Sequence, residues 1–415
     1  MKRIAAALLA LLLASAVPPA RAAQDVVIGA IYPLTGNAAQ IGADARNAID
    51  TMVEIINGTH DPVPMLMGRG GGLDRLGGAQ IRVVYADHQN DPQKARAEAE
   101  RLITQDKVVA LIGSYTSATA ATISQVAERY ELPYLSMDNS SPSLNRRGLK
   151  WFFRTSPHDE MFTEAMFAFF KEVGGKTGHP VRSVALFYED SIFGSDSSGV
   201  QRKLAADAGV TVAADIKYRA NSPSLSAEAQ RLKAAGADVL MPSSYTSDAI
   251  LVLRSLSELG YRPPAIMAQA AGFQEQAFLT AAGPLAEGVF SRSSFALDAV
   301  ASRPAIAPVN AAYRARAGKD LNDNTSRQVV AVQVLADAIN RAGSAVPEDI
   351  RRALVATSVP GEQTIMPWRG IRFDQTGQNV DATPVIQQVV NGTYRTVYPA
   401  AVAVQEPTWN VGGAP

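Results

Sequence analysis

Cysteine is absent from all 415 residues. Disulfides, thiolate metal sites and cysteine nucleophiles are therefore excluded, as is a lipid carried on a cysteine behind a leader segment. Histidine is scarce, and His60, His88, His158 and His179 are scattered without the pairing a metal site needs. Neither sign of charge prevails, with 39 basic against 39 acidic residues, so there is no electrostatic footprint for nucleic acid or anionic lipid. The G-x-S-x-G elbow and the phosphate-cradling P-loop are both missing. The glycine-rich stretch at 68–78 precedes a strand instead of following one, so it reads as a mobile surface loop and not as a dinucleotide turn. These absences point away from an enzyme, and no catalytic residue, cofactor or metal is expected.

What is present begins with a leader. Met1-Lys2-Arg3 is basic, residues 4–17 are apolar, Pro18-Pro19 breaks the run, and Ala20-Arg21-Ala22 offers the small-x-small pattern of signal-peptidase cleavage. The apolar run is shorter than the roughly 20 residues that span a bilayer. Residues 1–22 are thus expected to be a signal peptide, leaving a periplasmic chain that is neither lipid-anchored nor membrane-inserted, with a monomer as the default. Cleavage there leaves 393 residues carrying 36 basic and 39 acidic groups, a net charge of −3. That length suits two domains of ordinary size, and 47% hydrophobic residues supply packed cores.

One theme then repeats: an apolar run, a polar or glycine-bearing loop, and an amphipathic helix. Residues 26–31, 81–86, 108–113 and 133–136 read as strands, with helices over 43–57, 91–105 and 118–130. A second block restarts after Trp151, with strands at 184–188, 211–218, 239–241 and 265–267 and helices between them. Near-continuous apolar strands separated by helices mean a parallel sheet covered on both faces. The fold class is therefore α/β, with two doubly wound parallel-sheet lobes. Helices at 308–317, 325–342 and 347–357 follow, and a hairpin over 385–398 turns at Asn391-Gly392.

In open α/β sheets ligands sit beyond the carboxyl ends of the strands, facing helix N-termini. That rule selects the loops 114–117 and 137–141 in the first half, and 189–194, 243–247 and 268–272 in the second. Their hydroxyls suit a carboxylate or another small polar group, or they cap the following helices. Phe193 and Tyr245, aromatics at strand ends, either close over a ligand or pack on their own lobe.

Several runs carry a family resemblance: VVIGAIYPLTGNAAQIG at 26–42, Tyr85-Ala86-Asp87 with Asp91-Pro92, residues 111–117, ALFYEDSIFG at 185–194, residues 218–238, and Ile371-Arg372-Phe373-Asp374 with Gly377. In order along the chain, they resemble the leucine/isoleucine/valine-binding family of type I periplasmic binding proteins. The resemblance implies two lobes joined by three hinge crossings near residues 153–156, 290–293 and 362–367, with Pro157, Pro360 and Pro367 beside them. Lobe 1 would comprise 23–153 plus 292–362, and lobe 2 residues 154–291 plus 363–415. A small solute would bind in the cleft, and the permease of an ABC importer would be the partner; a ligand sensor feeding a signalling partner is the alternative.

Carried over by position, Tyr115, Thr116 and Ser117 would hold a ligand carboxylate, with Asn139 and Ser140 on the companion loop. Phe193 and Tyr245 would cover the ligand, while Gln40 and Ile41 would flank its side chain. Family members that bind amino acids place an acid just after the strand at 265–267, against the ligand ammonium. Gln269, Ala270 and Ala271 stand there instead, with Asp138, Asp190, Asp248 or Glu275 as substitutes. The departure favours aromatic acids or amides over a branched-chain amino acid. Arg327 reads as a surface residue, or as a partner for an acid ligand.

Overall fold

The computed structural model describes residues 24–412, so the expected signal peptide lies outside the described residues. Its first half alternates strand and helix: β1 (Val26–Tyr32), α1 (Ala39–Asn57), β2 (Ile81–Asp87), α2 (Pro92–Thr104), β3 (Leu111–Gly113), α3 (Ser117–Arg129), β4 (Tyr134–Ser136) and β5 (Phe152–Arg154). The alternation resumes with α4 (Asp159–Thr177), β6 (Ser183–Glu189), α5 (Ile192–Asp207), β7 (Thr211–Tyr218), α6 (Ser226–Ala235), β8 (Val239–Ser243), α7 (Thr246–Glu258), β9 (Ala265–Ala268), α8 (Gln276–Ala282) and β10 (Phe290–Ser293). The remainder is α9 (Ile306–Ala317), α10 (Asp323–Ala342), α11 (Pro347–Val355), β11 (Val359–Pro360), β12 (Gly370–Ile371), β13 (Val385–Val390) and β14 (Thr393–Tyr398).

Two sheets organise these elements. The first is wholly parallel, ordered β2-β1-β3-β4-β5. The second runs β14-β13-β10-β9-β8-β6-β7 and is parallel from β10 to β7, with β13 antiparallel to both β10 and β14. β1 and β8 are buried on both faces, with one residue of β1 only partly so, which is why they read as continuous apolar runs and not as alternating ones. The β13–β14 turn takes positive φ at both Asn391 and Gly392, matching the strands' twist. Helix starts follow their chemistry: Asp91 accepts from the Gln93 and Lys94 amides ahead of Pro92, and Asn322 forms a capping box with Thr325.

The chain crosses between lobes after β5 and again after β10, since α9, α10 and α11 return to pack on the first sheet. The third crossing falls later than the expected 362–367. Ile365, Met366, Trp368 and Ile371 are buried with β1 and α10 in the first core, whereas Ile386 and Val389 belong to the second lobe's cores. Burying Trp368 holds this segment on the first lobe, a placement that neither the resemblance nor Pro360 and Pro367 beside the expected crossing conveyed. The crossings are tied together. Arg154 donates to the Gln378 side chain at 2.7 Å, and Asn379 Nδ2 to the Thr155 carbonyl at 2.9 Å.

Two further expectations change. The glycine stretch at 68–78 is tethered, with the Gly71 and Gly72 amides bound to the Gly58 and Ile56 carbonyls at 2.9 and 2.8 Å and Leu73 fully buried. Arg327 is no surface residue. It is 1% exposed, because α10 runs through the interior with its start at the cleft.

Candidate functional site

The loops chosen by the strand-end rule converge between the lobes. At the end of β3, Gly113 takes φ +124°, and any Cβ there would lie 2.5 Å from the Ile31 carbonyl oxygen, so glycine alone lets the chain pass so close to β1. Thr116 then spends its hydroxyl capping α3 at the Thr119 amide, which leaves Ser117 at the helix N-terminus. Asn139 couples this loop to its neighbour, donating to the Ser114 carbonyl at 2.9 Å and accepting from Ser136 Oγ at 2.5 Å.

From the second lobe, Ser191 caps α5 and sets Phe193 in its first turn, while Tyr245 precedes α7. The loop after β9 lies against Tyr245 at Gly272, where a Cβ would sit 2.2 Å from the Thr246 nitrogen. Tyr245 meets Tyr115 across the cleft with ring centroids 5.2 Å apart, and Phe193 at 5.3 Å. Burial raises the Tyr245 hydroxyl pKa, opposed by the Ser117 amide.

A narrow cavity with free space for about one water lies among these groups in this closed arrangement. Tyr115, Ser117, Asn139 and Ser140 line it from the first lobe, and Phe193, Tyr245 and Ala271 from the second. A wider groove opens beside it, lined in part by Ile41, Thr116, Glu189, Tyr245 and Asp248. Of the expected residues, Thr116 and Ile41 thus reach the groove and not the inner cavity. Gln40 is tied to Asp44 at 2.9 Å.

Gln269 and Ala270 differ from the expectation. Both are fully buried and neither lines the cavity. Gln269 is directed to Asp159, donating to Oδ1 at 2.8 Å, and it accepts from Gln201 at 3.4 Å. Ala271, one residue on, forms the wall instead. Among the acids weighed as ammonium partners, Asp190 accepts from the Ala220 amide and Asp248 from that of Asn221, each at 3.0 Å. Glu275 bridges to the first lobe, accepting from Asn322 Nδ2 at 3.2 Å and from Asn324 Nδ2. Burial pushes its carboxyl up to about 7.

The floor holds what the sequence reading missed or misplaced. Arg292 of β10 and Arg327 of α10, 2% and 1% exposed, line the cavity together with Asp138 and Asn324. The two guanidiniums share one carboxylate, Asp323, which lies 3.3 Å from Arg292 Nη1 and accepts from Arg327 Nη2. Asp323 also accepts from the Ser294 amide at 2.5 Å. Arg292 stacks on Phe162, its guanidinium carbon 3.6 Å from the ring centroid. Burial lowers its pKa to about 9, and the charge of Arg327 adds to this. Asp138 turns both carboxylate oxygens away, accepting from Tyr32 at 3.0 Å and from Gln328 at 2.8 and 2.9 Å. Burial lifts its carboxyl to about 7 against the pull of Arg327.

Two lobes, three crossings and a polar cavity between strand ends define the class of two-lobed solute-binding proteins. Residues 25–393 match the periplasmic binding protein family, and the chain belongs to it. The chain is 30% identical over 387 residues, 92% of each chain, to the Leu/Ile/Val-binding protein homolog 8 of Brucella abortus (strain 2308). Among solved structures it resembles the branched-chain amino acid transporter substrate-binding protein LivJ of Streptococcus pneumoniae in complex with isoleucine. That likeness has a TM-score of 0.74 and 21% identity, covering 91% of this chain and 100% of that one. It also resembles an ABC-transporter solute-binding protein of Rhodopseudomonas palustris BisB5 in complex with 3,4-dihydroxy benzoic acid, with a TM-score of 0.74, 18% identity, and coverage of 94% and 99%. The type I fold and the family expected from the sequence motifs are thus both found.

Proposed function

We propose that this chain is the solute receptor of an ABC importer, capturing a small carboxylate-bearing solute in the inter-lobe cavity and delivering it to a membrane permease. In this reading the protein works in the periplasm as a diffusible monomer, and the solute leaves it unchanged. The observation that carries the reading is the composition of one cavity: Ser117 at a helix N-terminus and Ser140 from one lobe, and Phe193 and Tyr245 from the other. The dipole of a helix start favours an anion, and aromatic rings from the opposite lobe cover an apolar body.

Closure follows from the same division. A ligand first held by the α3 loop gains the Phe193 and Tyr245 contacts only when the lobes approach, so it binds the closed state better and shifts the population toward it. The solutes named for the two solved relatives, isoleucine and 3,4-dihydroxy benzoic acid, share a carboxylate. Mass spectrometry of solute released from the purified protein is the direct test, joined by a thermal-shift panel of carboxylic acids, amino acids and amides. A carboxylate that raises the midpoint and compacts the protein in X-ray scattering is the expected result. Amides that stabilise while every carboxylate fails would overturn the reading.

A further inference from the structure

We infer that Arg292 and Arg327 form a second anion-holding subsite on the cavity floor, so that the solute carries two acidic groups and no ammonium: a small dicarboxylate. The inference rests on the proposed receptor function and narrows its solute class. Four observations support it. Both guanidiniums line the cavity and are almost wholly buried. Both pair with the same carboxylate, Asp323, and the next acid bearing on Arg292, Asp159, is shared with Arg154. The Nε of each is buried with no hydrogen-bond partner. The other acid on the wall, Asp138, commits both oxygens to Tyr32 and Gln328 and meets Arg327 only through its backbone carbonyl, at 3.2 Å.

Arg292 and Arg327 share Asp323, and the next acid, Asp159, is divided between Arg292 and Arg154, so three buried guanidiniums face these two carboxylates; buried unpaired donors are costly. A ligand carboxylate supplies the missing charge and acceptors, and guanidinium suits carboxylate geometry well. An α-ammonium brought to the same floor meets two cations, and the loop after β9 offers Ala271 to the cavity where a counter-charge would be needed. The α3 N-terminus with Ser117 takes the first carboxylate. The Arg292–Arg327 pair takes the second.

The test is calorimetric titration of the full mature protein, stripped of endogenous solute, with matched pairs: glutarate against pentanoate, terephthalate against benzoate, and leucine alongside. At least one diacid is expected to bind ten-fold or more tightly than its monoacid and than leucine. Arg292→Gln combined with Arg327→Gln, which removes both cations of the subsite, should erase that preference, bringing diacid affinity down to that of the matching monoacid. The wild-type comparison stands even if the double variant fails to fold. Leucine or monoacids binding as tightly as diacids would overturn the subsite and leave the receptor reading intact. Binding of none of these carboxylates would overturn both. A diacid preference that survives in the folded double variant would assign it away from these arginines.

Discussion

Tyr245 of the second lobe sets its ring 5.2 Å from that of Tyr115 on the first. The contact spans the cleft, so it exists only while the lobes are close, and a solute entering the cavity must lie against these rings or part them. Tyr245→Ala is therefore expected to weaken carboxylate binding ten-fold or more, about 1.4 kcal/mol. Because Tyr245 packs across the lobes and outside the second lobe's own cores, the unliganded thermal midpoint should barely move. Titration calorimetry and thermal melts on the same preparation check the pair of outcomes. A collapsed midpoint with unchanged affinity would contradict it.

Glu275 gives the lobe contact a pH dependence. Its carboxyl is raised by burial to about 7 from an ordinary 4.5, with Asn322, Asn324, Asp44 and Lys319 as its polar surroundings. A carboxyl raised in the folded state contributes stability that is complete below the unfolded pKa and lost as pH rises through the folded one. Between pH 5 and 8 Glu275 thus becomes progressively less favourable. Glu275→Gln removes the titration, so its midpoint relative to wild type should be higher at pH 8 than at pH 5. His88 and His158, which burial lowers to about 4 and about 3, titrate in both proteins and cancel in the difference. A difference that is flat across this range would contradict the assignment.

Asp323 holds two buried guanidiniums, Arg292 and Arg327. Removing the acid strands both cations, and breaking a buried pair in this way costs about 3–5 kcal/mol. Asp323→Ala is expected to lose that much in urea denaturation. Replacing Lys203, which is solvent-exposed like its partner Asp207, should leave the midpoint unchanged within error. A loss under about 1 kcal/mol for Asp323→Ala would show the cations to be hydrated or paired elsewhere.

The sequence revealed the sheets because strands buried on both faces must be continuously apolar, as 184–188 and 239–241 are, and because strand-end loops in such sheets face the cleft. That logic placed Tyr115, Ser117, Asn139, Ser140, Phe193 and Tyr245 on one cavity. It could not see Arg292, which sits in the short strand Phe-Ser-Arg-Ser, where the residue pattern carries no mark of depth. Arg327 had one legible sign, its i,i+4 spacing from Asp323 on α10. The same spacing occurs in exposed pairs such as Lys203–Asp207, so only packing on every side of α10 distinguishes the two. Gln269 failed for the opposite reason. The strand-end rule was right about the loop, but a side chain that finds Asp159 turns away from the cavity.

Asp138 links affinity to pH. Its carboxyl, raised by burial to about 7 and faced by Tyr32, Gln328, Arg327, Asp323 and Tyr134, is partly ionised near neutrality. An anion arriving beside Arg327 disfavours that ionisation further, so binding takes up a proton. Affinity for a carboxylate is then greatest below pH 7 and falls as pH rises through it, at most about ten-fold per unit for one proton. Asp138→Asn keeps an acceptor for Tyr32, and its amide can donate to Gln328 Oε1, which is buried without a partner. The variant should bind at pH 6 about as well as wild type and lose less affinity by pH 8. Glu189, also raised by burial to about 7 with Asp248 and Asp190 adding to the shift, lines the neighbouring groove, so some slope should persist in the variant. Titrations from pH 5.5 to 8.5 decide it. Parallel curves for the two proteins would mean that Asp138 titrates independently of the bound anion.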